Sequence, residues 1–271
     1  MNKLNDFINI LFNDDKSKNT IRAYKVDIAQ LLIYYKNKKL KSYTKQDIEQ
    51  YKNYLLNVKH LSVSSINRKL IAIHEFFEFC EIPIRINQVK IQIQNFLNNV
   101  LSPIEISQII NMAREKNDFR TVAAVSTLKY TGMRVSEILQ IKINNINQNT
   151  INIIGKGKKV RKVFIPNNLH IIWKEYLPYR IKKSDYLFTG IRGKIVSSTI
   201  YKSIRMYGAM VGIDQKKCHP HSLRHAFCLS LAKKKIRIED ISSIVGHQSL
   251  ETTKLYLRKT QEELLDIVND I

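Results

Sequence analysis

The stretch HPHSLRHAF, residues 219–227, is followed by VGHQS, residues 245–249, and then by Tyr256. His221 and Arg224 lie three residues apart, so a helix that starts at the proline of the first stretch presents both side chains on one face. The leucine of that stretch and the phenylalanine that ends it point toward a core. Two side chains that can bind phosphate, aligned beside an apolar anchor, are unusual in a helix that only packs. The stretch therefore predicts a helical unit that presents a phosphate-binding site.

The second stretch places a histidine in a turn between two helices. Gly246 is a typical C-terminal cap for a helix over Ile238–Val245, and Ser249 is a typical N-cap for a helix that follows. One unbroken helix would put His247 and Tyr256 on opposite faces, so the turn is what allows them to converge. Tyr256 is one of 13 tyrosines, and an aromatic core residue is its plain alternative.

Arg134 is a candidate site residue from farther upstream. It precedes Glu137 by three residues in a helix predicted over Phe119–Leu139, so the carboxylate can orient the guanidinium. A surface ion pair is the plain alternative for these two residues. His225 lies off the phosphate-binding face of its helix and is interpreted as a structural, hydrogen-bonding histidine.

The segment GKGKKVRK, residues 155–162, holds five cations at a predicted hairpin turn. Its glycines let the backbone approach a phosphate chain that the cations neutralise. Four of these cations are predicted DNA contacts: Lys158, Lys159, Arg161 and Lys162. An exposed basic turn is the alternative. A Walker-type phosphate loop is excluded, because no GxxxxGK[ST] motif leads into a helix.

Composition favours a nucleic-acid partner. The 271 residues carry 45 Lys and Arg against 23 Asp and Glu, a formal net charge of +22, so the folded protein attracts polyanions. A low-GC genome would explain part of the lysine excess, but not the positions of the arginines. Three cysteines without CxxC spacing predict neither a disulfide framework nor a zinc site. With no apolar run of membrane-spanning length and no signal-peptide pattern, we expect a soluble, cytoplasmic protein without membrane contact.

Length and periodicity predict two domains, since one core usually serves about 100–200 residues. The predicted parts are a helical domain at 1–82, a linker at 83–102 and a second domain at 103–271, with a last helix at 260–271. The linker lacks helix periodicity, and Ser102 followed by proline then restarts a helix.

The elements predict a mainly α fold class with a small antiparallel β-sheet. Amphipathic helices are predicted in the first domain over Thr20–Tyr35, after an N-cap at Thr44, and over Ser62–Cys80. In the second domain, apolar and polar residues alternate over Ile141–Ile154 and Val160–Ile165, a pattern typical of β-strands. The rest of that domain is predicted to be helical.

Taken in order, the motifs TGMRVSEIL, GKGKKVRKV, HSLRHAF and GHQSLETTKLY resemble the catalytic signature of the tyrosine recombinase (phage integrase) family. The short, two-domain form resembles the Xer-type members. The segments SKNTIRAYKVDI and LSVSSINRKLIAIHEFFEF resemble the family's helical core-binding domain, so the resemblance spans nearly the whole chain. It implies an all-helical, SAM-like core-binding domain followed by an α+β catalytic domain of the DNA breaking and rejoining type.

The resemblance implies six catalytic residues: Arg134, Lys156, His221, Arg224, His247 and Tyr256. Tyr256 would attack the scissile phosphate to form a 3′-phosphotyrosyl intermediate, and Lys156 would be the general acid for the departing 5′ oxygen. A phenol is a weak nucleophile at neutral pH, so it needs the arginines and histidines to stabilise charge at the phosphate. Glu137 and His225 would support this set.

The resemblance also implies partners. The implied partner is double-stranded DNA with a specific recombination site, bound by a homotetramer with or without a partner recombinase. The helix at 260–271 would dock on a neighbouring protomer, and packing within its own protomer is the alternative. Three predicted DNA contacts lie in the first domain: Arg22, Arg68 and Lys69. Because the covalent intermediate keeps the bond energy, we expect no cofactor and no metal.

Two rival functions remain open from the residues. A type IB topoisomerase shares the tyrosine, arginine and lysine chemistry but nicks and reseals one duplex. A DNA-binding regulator would read a groove with its helices and would not need Lys156, His247 and Tyr256 at these spacings. The first domain favours site-specific recombination through a Holliday junction.

Overall fold

Helices form the first of two units, Met1–Ile93, and the second unit is Gln94–Ile271. The computed structural model describes residues 2–14, 16–36, 38–90, 99–155, 159–246, 253–254 and 269. The helices of the first unit are α1 Asn2–Asn13, α2 Lys18–Tyr34, α3 Lys45–Asn53 and α4 Val63–Phe79. A 3₁₀ turn spans Leu40–Ser42, and a π-helical turn, Tyr54–Val58, continues α3.

Local capping fixes where these helices begin. The Thr44 hydroxyl accepts a hydrogen bond from the Asp47 amide, and the Asp47 carboxylate accepts one from the Thr44 amide, which confirms the predicted cap of α3. Ser62 caps α4 through the Ser65 amide. The apolar faces of the helices then enclose a core of fully buried side chains: Ile28, Leu31, Leu70, Ile73 and Phe76.

The second unit is organised around one central helix. Its helices are α5 Pro103–Glu115, α6 Phe119–Thr131, α7 Val135–Ile138, α8 Asn167–Tyr176, α9 Ser197–Met210, α10 Pro220–Lys233 and α11 Ile238–Val245. Helix α6 packs against α5, α8, α9 and α10, and most of its side chains are small or apolar and buried. Trp173 of α8 is tied to this helix by a 2.9 Å hydrogen bond from Nε1 to Thr127 Oγ1.

The helix predicted over Phe119–Leu139 is two helices in the structure. Helix α6 ends because Gly132 adopts a left-handed conformation, with φ 59°, and α7 begins after a short turn. A Cβ at Gly132 would overlap the ring of Phe227 from α10, so the close approach of these helices requires glycine there. The break corrects the sequence prediction and places Arg134 at the start of α7.

Two antiparallel hairpins complete the second unit. The strands are β1 Thr150–Ile154, β2 Val160–Phe164, β3 Thr189–Gly190 and β4 Gly193–Lys194. The pairing of β1 with β2, which sets Ile153 opposite Arg161, is the predicted sheet, whereas the short β3–β4 hairpin was not predicted. The fold is thus mainly α with small antiparallel sheets. In the part of the chain that the structure describes, every helix is too short or too polar to cross a membrane.

Candidate active site

Arg134 lies at the N-terminus of α7, where Glu137 holds it. The Glu137 carboxylate accepts hydrogen bonds from the Arg134 amide and from Arg134 Nη1, both at 2.8 Å. A third bond, also of 2.8 Å, comes from Nη2 of Arg161 on β2. Burial alone would raise the pKa of Glu137, but the bonds from Arg161 and Arg134 outweigh burial and hold this pKa below its ordinary value. Glu137 is therefore a buried, ionised carboxylate and not half of a surface ion pair.

Helix α10 carries the HPHSLRHAF stretch and begins, as predicted, at Pro220. Its N-cap is the side chain of His219, whose Nδ1 accepts a hydrogen bond from the Ser222 amide at 3.0 Å. This cap requires a neutral imidazole with an unprotonated Nδ1. This role of His219 was not predicted from the sequence, although a polar side chain directly before a proline at the first helical turn indicates an N-cap.

Arg224 is buried, with 1% of its surface exposed. Its guanidinium donates from Nη1 to the Gly132 carbonyl and from Nη2 to the Val245 carbonyl, both at 2.7 Å. The ends of two helices therefore fix the plane of the guanidinium. Gly132 lies two residues before Arg134. The same turn of backbone therefore accepts the bond from Arg224 and positions Arg134.

Three arginines bind the C-terminal end of α11. This helix ends at Gly246, whose left-handed φ of 67° confirms the predicted C-cap. The last carbonyls of the helix accept bonds from three guanidiniums: Ile244 O from Arg161 Nη1 at 2.9 Å, Val245 O from Arg224 Nη2 at 2.7 Å and Gly246 O from Arg134 Nη2 at 3.5 Å. Cations suit this position because the last carbonyls of a helix lack intrahelical donors. Arg134 and Arg224 thus converge on the backbone directly before His247.

The two other histidines of α10 are neutral at pH 7. His221 is exposed at the surface, but partial loss of surrounding water still lowers its pKa, and the charges of Arg224, His219 and Arg134 lower this pKa further. Loss of water lowers the pKa of His225 to about 4, with smaller effects from the neighbouring histidines and Arg224. A neutral His221 can accept a proton from a reacting group.

Three predicted catalytic residues lie outside the described residues: Lys156, His247 and Tyr256. So do Lys158 and nearly all of the predicted last helix, 260–271. Their roles stay predictions. The structure does describe residues that border Lys156 and His247. The Gly155 amide donates to the Lys159 carbonyl at 2.8 Å, and Gly246 ends α11.

The β1–β2 hairpin separates its cations into two groups. Lys159 and Lys162 are exposed and are placed to meet a polyanion. Arg161 departs from the prediction, because its guanidinium points inward to Glu137 and Ile244 and 13% of its side chain is exposed.

In the first unit, the predicted DNA contacts also differ in exposure. Arg22 is exposed, and Arg68 is half-exposed while it pairs with Asp27. Lys69 is buried and donates from Nζ to Asp27 at 2.8 Å and to Gln30 at 2.6 Å. The Lys69 ammonium therefore compensates a buried carboxylate inside the unit, and the DNA contact predicted for Lys69 stays a prediction.

Across the described ranges, no three His, Cys, Asp or Glu side chains are grouped closely enough to hold a metal ion. The three cysteines are unpaired thiols, Cys80, Cys218 and Cys228, and burial raises the pKa of each. Thiols whose pKa is raised in this way are poor nucleophiles at neutral pH.

Comparison with known proteins relates both units to one family. Residues 99–263 match the Phage integrase family, and residues 4–82 match the Phage integrase, N-terminal SAM-like domain. The tyrosine recombinase XerA of Pyrococcus furiosus is 32% identical over 273 residues, which cover 98% of this chain and 92% of that protein.

Solved structures share the fold. A crystal structure of XerA recombinase is 31% identical, with a TM-score of 0.56 over 99% of this chain and 97% of that one. A lambda integrase tetramer bound to a Holliday junction is 16% identical, with a TM-score of 0.74 over 94% of this chain and 76% of that one. The second likeness shows the fold alone.

Proposed function

The chain belongs to the phage integrase family and is a tyrosine-type site-specific recombinase, and from this premise we propose how its residues cleave and rejoin DNA. The observation that carries the proposal is the convergence of Arg134 and Arg224 on the backbone of Val245 and Gly246, directly before His247. Two guanidiniums held in this way can bind the non-bridging oxygens of one phosphate, where charge increases in the transition state.

In the proposed reaction, the Tyr256 oxygen attacks the scissile phosphorus, and the bond from phosphorus to the 5′ oxygen breaks. His221, neutral at pH 7, accepts the phenolic proton, and Lys156 gives a proton to the departing oxygen. His247 donates a hydrogen bond to the phosphate. The products are a 3′-phosphotyrosyl strand and a free 5′-hydroxyl.

Rejoining reverses these steps with a different hydroxyl. The 5′-hydroxyl of a second duplex attacks the phosphotyrosyl bond, gives its proton to the amine of Lys156 and releases the tyrosine, which recovers the proton held by His221. One phosphodiester is exchanged for another, so the reaction needs neither ATP nor an external nucleophile. Exchange of one pair of strands leaves a Holliday junction, and exchange of the second pair resolves it.

The proposed substrate is double-stranded DNA with a specific recombination site. The net charge of +22 and the exposed cations support this partner. Four exposed or half-exposed residues are proposed DNA contacts: Arg22, Arg68, Lys159 and Lys162. The proposed domains are a core-binding domain at 1–82, a linker at 83–102 and a catalytic domain at 103–271.

We also propose a tetramer of this chain, with or without a partner recombinase, as the active assembly. Two duplexes have four strands to cut, and each cut needs one Tyr256. The fold shared with the lambda integrase tetramer on its Holliday junction supports this arrangement. The segment 260–271 is proposed to dock on the neighbouring protomer. We place the activity in the cytoplasm, a compartment that favours unpaired thiols.

The test begins with selection of a binding site from random duplexes, followed by a plasmid that carries two copies of that site. We expect wild-type protein to invert or excise the intervening DNA, and Arg224→Lys to lose this activity because an ammonium cannot reproduce the planar fork. Relaxed plasmid without recombinants would instead identify a topoisomerase. Tight binding with neither product would identify a regulator.

A further inference from the structure

Arg161 is the third arginine at the end of α11, and its side chain connects three elements. It starts on β2, donates from Nη2 to Glu137 on α7 at 2.8 Å and donates from Nη1 to the Ile244 carbonyl of α11 at 2.9 Å. With 13% of its side chain exposed, it is far less accessible than Lys162 beside it. Its two bonds are both made to protein groups inside the second unit.

The aliphatic part of Arg161 also fits against Gly246. A Cβ at Gly246 would overlap Arg161 Cδ, and the left-handed φ of 67° further disfavours any other residue there. The arginine stem and the glycine therefore pack as a matched pair. Gly246 directly precedes His247, so this contact acts on the backbone that leads into a proposed catalytic residue.

The bond to Glu137 extends the same connection to Arg134. Glu137 accepts one bond from Arg161 and two from Arg134, all at 2.8 Å. A change at Arg161 would leave this buried carboxylate with Arg134 as its sole partner among the described residues, so Arg134 would reorient to compensate it. Arg161 thus contacts both the carboxylate that holds Arg134 and the helix end that precedes His247.

We propose that Arg161 is a positioning residue for DNA cleavage: it joins the strand that follows Lys156 to Glu137 and to the end of α11, and so sets Arg134 and His247 relative to one phosphate. This inference rests on the proposed function. It replaces the interpretation of Arg161 as a DNA contact, which the sequence alone suggested.

The Arg161→Lys variant distinguishes a DNA contact from a positioning residue. A DNA contact depends mainly on charge, which Arg161→Lys keeps. A positioning residue depends on the planar fork, because a single ammonium on a flexible stem cannot hold Glu137 and Ile244 in the same geometry. The matched control is Arg237→Lys, the same change at the other end of α11, where the guanidinium is exposed and pairs with Asp240.

The experiment measures three quantities on the full-length variants: thermal unfolding, DNA affinity as a function of salt, and the rate of covalent adduct formation at saturating protein on a nicked duplex. For Arg161→Lys we expect a rate lower by about 100-fold, the cost of a misplacement of roughly 1 Å, with affinity and salt dependence near wild type. Arg237→Lys should match wild type in all three quantities. An Arg161→Lys rate within about twofold of wild type, or a loss confined to affinity, would overturn the proposal.

A second variant keeps the test valid if Arg161→Lys does not fold. Gly246→Ala pushes a methyl group against the arginine stem, and we expect it to lower the same rate. Combined with Arg161→Ala, its effect should shrink, because the clash partner is gone, so the two changes should not be additive. Additive effects of the two changes would show that the Arg161 stem and Gly246 do not pack as a matched pair. Adduct formation by wild type tests the proposed function separately, since it does not depend on what any variant does.

Discussion

Arg224 donates a 2.7 Å hydrogen bond to the carbonyl of Gly132, a residue 92 positions earlier in the chain. Gly132 can accept this bond because it leaves α6 in a left-handed conformation and lies against Phe227 of α10. The turn that follows carries Arg134. One packing contact between α6 and α10 therefore sets both proposed phosphate-binding arginines.

Replacement of Gly132 by alanine is expected to destabilise the second unit. Both the positive φ and the overlap of the new methyl group with Phe227 oppose the change, so we expect the free energy of unfolding to fall by about 2–4 kcal/mol. Denaturation in urea measures this value.

Gly212→Ala is the matched control for that substitution. Gly212 has a φ of 75°, but a Cβ there meets nothing within 4 Å, so the variant carries backbone strain without a clash. We expect a loss of about 1 kcal/mol. Equal losses in the two variants would show that contact with Phe227 contributes nothing.

The cap at His219 makes stability depend on pH. Burial lowers the pKa of His219 from its ordinary value of 6.5, so the folded state favours the neutral, hydrogen-bond-accepting form. The resulting stability is fully present above pH 6.5 and is lost as the pH falls through the lower pKa of the folded state. His221 and His225, whose pKa values are also lowered, act in the same direction.

Two substitutions isolate the contribution of His219. His219→Ala should cost about 1 kcal/mol at pH 7.5, whereas His219→Asn supplies another capping side chain and should cost little. Urea denaturation from pH 7.5 to 5 should show a shallower loss of stability for His219→Asn than for wild type, because its cap does not titrate. An equally steep loss would mean that the cap is not what titrates.

Ser222 ties the start of the second unit to α10. Its hydroxyl accepts a 2.6 Å bond from the Leu101 amide and donates to the Asn99 carbonyl at 3.3 Å. Ser222→Ala should cost about 1–3 kcal/mol, because the Leu101 amide becomes a buried donor without an acceptor. Ser230→Ala, on the exposed side of the same helix, should stay within about 0.5 kcal/mol of wild type. Similar unfolding curves for the two variants would contradict this role.

Lys69 and Arg22 should respond in opposite ways. Lys69→Met removes two bonds to buried partners and should lower the free energy of unfolding by about 2 kcal/mol, with the salt dependence of DNA binding unchanged. Arg22→Ala should leave stability unchanged and reduce the slope of log affinity against log salt by about 1. A reduced slope of log affinity against log salt for Lys69→Met would instead support the predicted DNA contact of Lys69.

The sequence predicts elements whose cause is local. The cap at Thr44 and the glycine that ends α11 depend on residues within a few positions of each other, so a pattern read along the chain finds them. The catalytic motifs are likewise short, and they carry the resemblance that identifies the family.

Other features depend on residues that are distant in the chain. The break at Gly132 is required by a ring on α10, and the bonds of Arg161 join residues 24 and 83 positions apart. The sequence predicts Lys69 to be a surface cation, because its bond partner Asp27 lies on another helix and is distant in sequence. Such contacts are set by tertiary packing, which periodicity and composition do not describe.

In the proposed mechanism, Tyr256 becomes covalently joined to DNA. A nicked duplex that contains the selected site traps the intermediate, because the short 5′ fragment diffuses away after cleavage. On denaturing gels we expect wild-type protein to form an adduct whose tryptic DNA-linked peptide contains Tyr256, Tyr179→Phe to form it equally well and Tyr256→Phe to form none. Tyr179 is a suitable control because it is an exposed tyrosine of the same unit. An adduct formed by Tyr256→Phe at the wild-type rate, or a linkage mapped to another residue, would contradict the account.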